Sequence, residues 1–157
     1  MEMTGEQLVP LPQKETWDAL NNPAVLKACI PGCESMERVS DTEYEVVLLA
    51  KIGPVSARFK GRMTMTDSDP PRAYTLIFEG QGGAAGFAKG QASVTLTPQN
   101  GGTLLAYTAK AAISGKLAQV GSRLVDGVAR KLAGEFFAAF TEHAGGEKLD
   151  GNNSKNS

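Results

Sequence analysis

Residues 115–144 read GKLAQVGSRLVDGVARKLAGEFFAAFTEHA, and this stretch decides the fold. Apolar side chains recur at Leu117, Val120, Leu124, Val128, Leu132, Phe136 and Phe140, steps of three or four residues that place them on one face of a helix. A second row, Val125, Ala129, Ala133 and Phe137, widens the stripe, while Lys116, Arg123, Asp126, Arg130 and Glu142 supply a wet face. At 1.5 Å per residue such a helix runs roughly 45 Å, enough to cross a small domain. It needs a curved surface to lie in.

The chain before it supplies strands. Glu2–Val9 reads as a first strand closed by Pro10 and Pro12, and Gln13–Leu20 as a short helix with Trp17 as its aromatic anchor. Asn22 followed by Pro23 starts a second helix, a capping side chain and then a ring whose missing N–H has no helical partner to lose. Pro31 and Gly32 stop it. From Glu34 the period changes to two. Tyr44, Val46, Leu48, Ala50 and Ile52 alternate with more polar neighbours; Val55, Ala57, Phe59, Met63 and Met65 then oppose Ser56, Arg58, Lys60, Arg62 and Thr64. Tyr74, Leu76 and Phe78, then Val94 and Leu96, continue the inward row, with Arg58, Lys60 and Arg62 expected in water. Hairpin-length connections at Gly53-Pro54, Asp69-Pro70-Pro71 and Asn100-Gly101-Gly102 imply antiparallel pairing. The expected fold is therefore α+β, a curved antiparallel sheet of about seven strands wrapped around a long C-terminal helix, with two short helices after the first strand. Residues 1–144 form one domain, and the polar run GGEKLDGNNSKNS over 145–157 is expected to be disordered.

Function classes narrow by exclusion. The formal net charge of −1, with no basic block, argues against a nucleic-acid partner. The N-terminus has no apolar signal core and the chain no membrane-length apolar run, so a cytoplasmic location is expected. Two cysteines, Cys29 and Cys33 in CIPGC, cannot complete a zinc site unaided, and no bound metal or cofactor is expected. His143 is the lone histidine, placed by the reading near the end of the long helix, and no catalytic set is visible around it. The run GQGGAAGFAKG over 80–90 matches the dinucleotide spacing GxGxxG/A, yet a strand follows where a phosphate-binding helix must begin. A flexible or bulged segment is the expectation there. The 18 glycines and many alanines leave room for an apolar cavity between sheet and helix, with a filled core as the alternative.

The residues also carry a resemblance. Trp17 and Leu20 followed by Asn22, Pro23 and Leu26, then Cys29-Ile30-Pro31-Gly32-Cys33-Glu34, resemble the N-terminal signature of the carbon monoxide dehydrogenase G-subunit family, within the START/Bet v 1-like (SRPBCC) superfamily. Ile52-Gly53-Pro54-Val55, Phe59 with Gly61, Gly80 with Gly83, the Thr103–Tyr107 strand, Gly115-Lys116-Leu117-Ala118 and Phe136-Phe137 agree in order and spacing. The resemblance implies the helix-grip fold and a hydrophobic cavity. It further implies a non-catalytic accessory role for a molybdenum hydroxylase of the CO dehydrogenase type, binding a quinone or isoprenoid lipid and linking the enzyme to the membrane electron-transport chain, with peripheral contact at the inner membrane face. Many family members continue to an apolar membrane-binding segment, which the polar residues 145–157 do not provide.

The ligand-binding residues expected on this reading are Leu48, Phe59, Met63, Met65, Tyr74, Leu76, Phe78, Phe87, Val94, Leu96, Leu117, Val120, Leu124 and Val128. The entrance is expected where the 80–90 segment, with Phe87, meets the first turns of the long helix. Two alternatives stay open. One is a recruitment or assembly subunit with a filled core; the other is a cyclase-like or hydrolase-like enzyme with Tyr44, Tyr74 or Tyr107 as its internal acid.

Overall fold

The alternating segments pair into one seven-stranded antiparallel sheet. A computed structural model describes the backbone of residues 1–156 and the side chains of residues 1–146. Strand β1 (Glu2–Val9) leads into helices α1 (Gln13–Leu20) and α2 (Pro23–Cys29), followed by β2 (Cys33–Arg38), β3 (Glu43–Ile52), β4 (Val55–Asp69), β5 (Ala73–Gln81), β6 (Phe87–Gln99) and β7 (Gly102–Ser114). A four-residue helix α3 (Lys116–Gln119) and the long α4 (Ser122–Asn156) complete the chain. The sheet order is β1-β7-β6-β5-β4-β3-β2, so every neighbour except β1–β7 is a sequence neighbour, and the sheet curves around α4 as a helix-grip.

Local chemistry accounts for the boundaries. The Asn22 side chain accepts the Ala24 N–H at 3.0 Å and Pro23 opens α2, as its sequence requires. Register runs unbroken from Val46 through Gly61 to Gly80, and the one slip in β4 falls at Thr66/Asp69. The 80–90 segment is a tight hairpin: β5 continues to Gln81, a single 3-10 turn spans Gly83–Ala85, and β6 begins at Phe87.

The helix differs from its sequence reading in three ways. It is broken near its start, because Gly121 takes φ +100°, a backbone state that L side chains avoid, separating α3 from α4. Its assigned backbone continues past residue 144 to Asn156, while the side chains from 147 onward, on which most of the tail expectation falls, lie outside the described residues. His143 accordingly stands within α4, half-buried, and not at its end. The third difference is rotation. Val125, Phe140 and Ala144 face inward, whereas Leu124 and Leu132 stand at 38% exposure. Phe136 and Phe140 of the first row and Val125 and Phe137 of the second share the buried face, so the inward line runs between the two rows, with the large rings dominating the area to be buried.

Among the described residues the core is in three parts. The main cluster joins Val9, Leu11, Leu20, Val25, Tyr74, Val94, Leu96, Leu105 and Phe140 where β1, α1, α2 and α4 meet the sheet. A second holds Leu26, Met36, Tyr44 and Val46, and Phe136 packs against both. A small third cluster, Phe59, Ala85 and Leu117, fills the opposite end beneath α3. Buried Thr16 and Thr103 tie the α1 corner to β7, each donating to the Leu11 carbonyl, at 3.1 and 2.7 Å.

Candidate functional site

Between the inner face of the sheet and the middle of α4 lies an apolar cavity of about 210 Å3. Its floor comes from alternating inward positions of four strands: Tyr44 on β3, Met63 on β4, Tyr74 and Leu76 on β5, Ala92 and Val94 on β6. Leu105 and Tyr107 on β7 continue it, Phe136 and Phe137 on α4 form its roof, and Leu20, Asn21, Leu26 and Ile30 from the two short helices close one end. Space remains because the residues meeting the aromatic roof include Ala92, a side chain too short to reach it. Tyr107 stacks on Phe137, with centroids 5.3 Å apart.

The polar fittings sit at the α1–α2 end. The Tyr44 hydroxyl donates to the Asn21 carbonyl at 2.9 Å and accepts from Arg38 Nη2 at 2.8 Å. Arg38 Nη2 also donates to the Asn21 carbonyl, and its guanidinium lies 5.2 Å from the Tyr44 ring centroid. This latch fastens the α1–α2 junction to β2 and β3 and closes the cavity. The Trp17 ring meets Tyr74 edge-on at 5.1 Å. Burial, with Tyr44 close by, pushes the Tyr74 phenol far above the usual tyrosine range, so it is a neutral donor at any physiological pH. Among the described residues the cavity wall holds no carboxylate, histidine or lysine.

Of the residues expected to bind ligand, Met63, Tyr74, Leu76 and Val94 line this cavity. Met65 and Leu96 belong to the main core, and Leu48 packs behind Tyr44 and Val46. Phe78 lies across Gly90, where a Cβ would stand 2.8 Å from its ring. Phe59 and Leu117 are in the third cluster, so the end of the grip where the entrance was expected is plugged. Val120 ends α3, Val128 is half-buried on α4, and Leu124 leans over Gly53 at the rim. Phe87 is a correction of face. It pairs with Gln81, one step out of phase with the inward Gly80 and Phe78, and so points outward.

That outer face has an open depression of about 740 Å3, lined by Phe87, Lys60, Glu79, Arg62, Glu45 and Glu37 among others. Its arginine is paired, since Arg62 reaches Glu43 and Glu45 at 3.8 Å, and nearby Arg58 grips Glu34 at 2.6 Å. Arg58, Lys60 and Arg62 thus stand on the solvated face, as the alternation requires, with both arginines paired. Among the described residues no group of histidine, cysteine or acidic side chains could hold a metal, and no helix is long and apolar enough to cross a membrane.

Sequence reasoning missed the lining from Leu20, Asn21, Leu26 and Ile30, along with Ala92, Leu105, Phe136 and Phe137. Phe136-Phe137 was the available signal, the only adjacent aromatic pair in the chain. It marks the middle of α4, and not its first turns, as the part facing unfilled space.

Comparison with known proteins agrees with this geometry. Residues 5–145 match the CoxG family, described as the G subunit of carbon monoxide dehydrogenase. A conserved protein from Geobacillus kaustophilus is 32% identical with a TM-score of 0.86, covering 92% of this chain and 95% of its own. The Zhui aromatase/cyclase of Streptomyces sp. R1128 has 13% identity and a TM-score of 0.67, covering 92% of this chain and 93% of its own. Ara h 8.0201 has 15% identity and a TM-score of 0.62, covering 92% and 97%. The last two likenesses are of fold, START/Bet v 1-like in each case. Comparison with curated proteins finds no match.

Proposed function

The chain belongs to the CoxG family, the carbon monoxide dehydrogenase G-subunit family, and from that premise we propose that it is a non-catalytic accessory protein carrying a hydrophobic small molecule between its sheet and α4. The cargo on this reading is a quinone or isoprenoid lipid. The client is a molybdenum hydroxylase of the CO dehydrogenase type, and the task is to link that enzyme to the membrane electron-transport chain. One observation carries the ligand reading: an apolar cavity roofed by Phe136 and Phe137 inside the grip of the sheet. The family supports the client.

Size bears on the cargo. At about 210 Å3 the cavity is smaller than the roughly 300–1,000 Å3 of sites for drug-sized ligands. A head of one or two fused rings or a short stretch of tail fits the resting structure, and anything longer requires the α1–α2 junction to part from β3. The Arg38–Tyr44–Asn21 latch is the element that opening would break. The cyclase-like alternative finds little support, because the acid it needs would be a tyrosine: Tyr74 is held firmly protonated by burial, and Tyr44 is already engaged.

Native mass spectrometry of the protein recovered from cells under gentle conditions tests the reading. The expected spectrum shows a one-to-one adduct with an apolar molecule that organic extraction removes. A bare protein mass, together with no uptake of added quinone or isoprenoid, transfers the case to a recruitment role.

A further inference from the structure

The internal cavity has a neighbour. Between the edge strand β1 and α4 runs an open groove of about 290 Å3, lined by Met3 and Gln7 from β1 and by Arg130 and Gly134 from α4 among others. Tyr107 and Phe137 line both this groove and the cavity, so the stacked pair, with centroids 5.3 Å apart, is the partition between them. Elsewhere the grip is fastened: the Arg38–Tyr44–Asn21 latch holds the α1–α2 end, and Phe59, Ala85 and Leu117 plug the other. Two glycines give the partition room. Gly5 faces Tyr107 in the β1–β7 register, and a Cβ there would stand 2.6 Å from the hydroxyl oxygen and 2.8 Å from the ring, so a glycine is what lets the ring lie against β1. On α4 a Cβ at Gly134 would meet nothing within 4 Å, which leaves open space beside the pair. Arg130, Gly134 and Phe137 follow at steps of four and three, on one helical face. Arg130 is exposed and makes no ion pair or hydrogen bond to a described residue. Glu6, the acid of the groove, has the outward parity of exposed Leu8 on β1.

We propose that this groove is the mouth of the cavity and holds the head of an amphiphilic guest: acceptor oxygens, favoured when anionic, sit beside Arg130 while the apolar end passes between Tyr107 and Phe137 into the cavity. The inference rests on the ligand-carrying reading above. A head drawn fully inside would exchange its water for an almost wholly apolar lining, whereas in the groove it keeps water and gains a cation. The tail gains by burial. Seven apolar carbons at roughly 30 Å3 each come to about 210 Å3, the size of the cavity. The groove adds a polar berth and no apolar room, so the size limit on the buried part stands.

The probes are octanoate, 1-octanol and octyltrimethylammonium, alike in chain and differing in head, with acetate as the head alone. Each is titrated into the full chain and followed by amide and methyl NMR shifts, in wild type, Arg130→Gln and Gly134→Leu. Wild type is expected to bind octanoate one-to-one, moving the Gly5 and Gly134 amides together with the methyls of Leu76 and Val94, and to bind octyltrimethylammonium at least fivefold more weakly. Arg130→Gln is expected to lose about fivefold in octanoate affinity, the upper range for an exposed ion pair, while holding 1-octanol within twofold. Gly134→Leu suits a helix interior, fills the groove without touching the cavity wall, and is expected to lower octanoate affinity at least tenfold. Octanoate binding that is indifferent to either variant but lost in the cavity-filling Ala92→Leu overturns the groove and leaves the cavity reading standing. Acetate that moves the groove amides as octanoate does makes Arg130 a surface anion site and overturns the groove likewise. Binding of none of the three eight-carbon probes by folded wild type overturns both.

Discussion

Filling the cavity from the sheet side sets the open core against the filled one by the sign of a stability change. Ala92 lies on the inner face of β6, in register with Leu76 and Ala109, and its methyl lines the cavity. Ala92→Leu adds three carbons, about 90 Å3 at the roughly 30 Å3 that a water-sized group occupies, into about 210 Å3 of space. Burying them contributes about 2.4 kcal/mol at roughly 0.8 kcal/mol each. Ordering the leucine side chain costs about 0.5–1 kcal/mol. The net expectation is stabilisation by about 1.5 kcal/mol, a rise in Tm of about 3–6 °C for a chain of this size. Urea unfolding followed by circular dichroism reads it directly, as a higher midpoint at unchanged slope. In a filled core the same leucine overpacks and costs about 1–3 kcal/mol. A lower midpoint refutes the cavity.

Other outcomes follow from the same packing. Phe140→Ala, at a site with 0% exposure in the main cluster, should cost about 3–5 kcal/mol in urea unfolding. Thr103→Val removes the 2.7 Å bond to the Leu11 carbonyl and the acceptor for Thr16 at 3.2 Å, and should cost about 1–3 kcal/mol by the same assay. Burial raises the pKa of both Cys29 and Cys33 above the usual thiol value; the thiolate fraction at neutral pH is therefore low, and alkylation followed by mass spectrometry should stay slow until the pH passes above the ordinary thiol range. Leu124→Arg lies at the exposed rim outside the cavity wall and should leave probe binding within twofold in an NMR titration, whereas an entrance beside the first turns of α4 would make it abolish binding.

Much of the fold was legible because its signals are local and periodic. Two-residue alternation set the inward and outward faces of β3 to β6, and Asn22-Pro23 announced α2. The site was less legible, for reasons that are tertiary. The apolar stripe on α4 is two rows wide, and only the packing of Phe136, Phe137 and Phe140 in the main cluster decides where within it the buried face lies. Leu20, Asn21 and Leu26 read as ordinary ends of short helices, since nothing local says that α1 and α2 will close a cavity. Phe87 read as a lip because a glycine-rich run hides how far the strands extend; once β5 reaches Gln81 and β6 starts at Phe87, its parity is fixed on the outer face.

The central claim, that the space beneath Phe136 and Phe137 takes up a hydrophobic guest, is tested most directly by equilibrium binding of 2-methyl-1,4-naphthoquinone to wild type and to Ala92→Leu. The cavity reading predicts saturable one-to-one binding to wild type and its loss in the folded, filled variant. Equal binding to both proteins, or none to wild type, would contradict it.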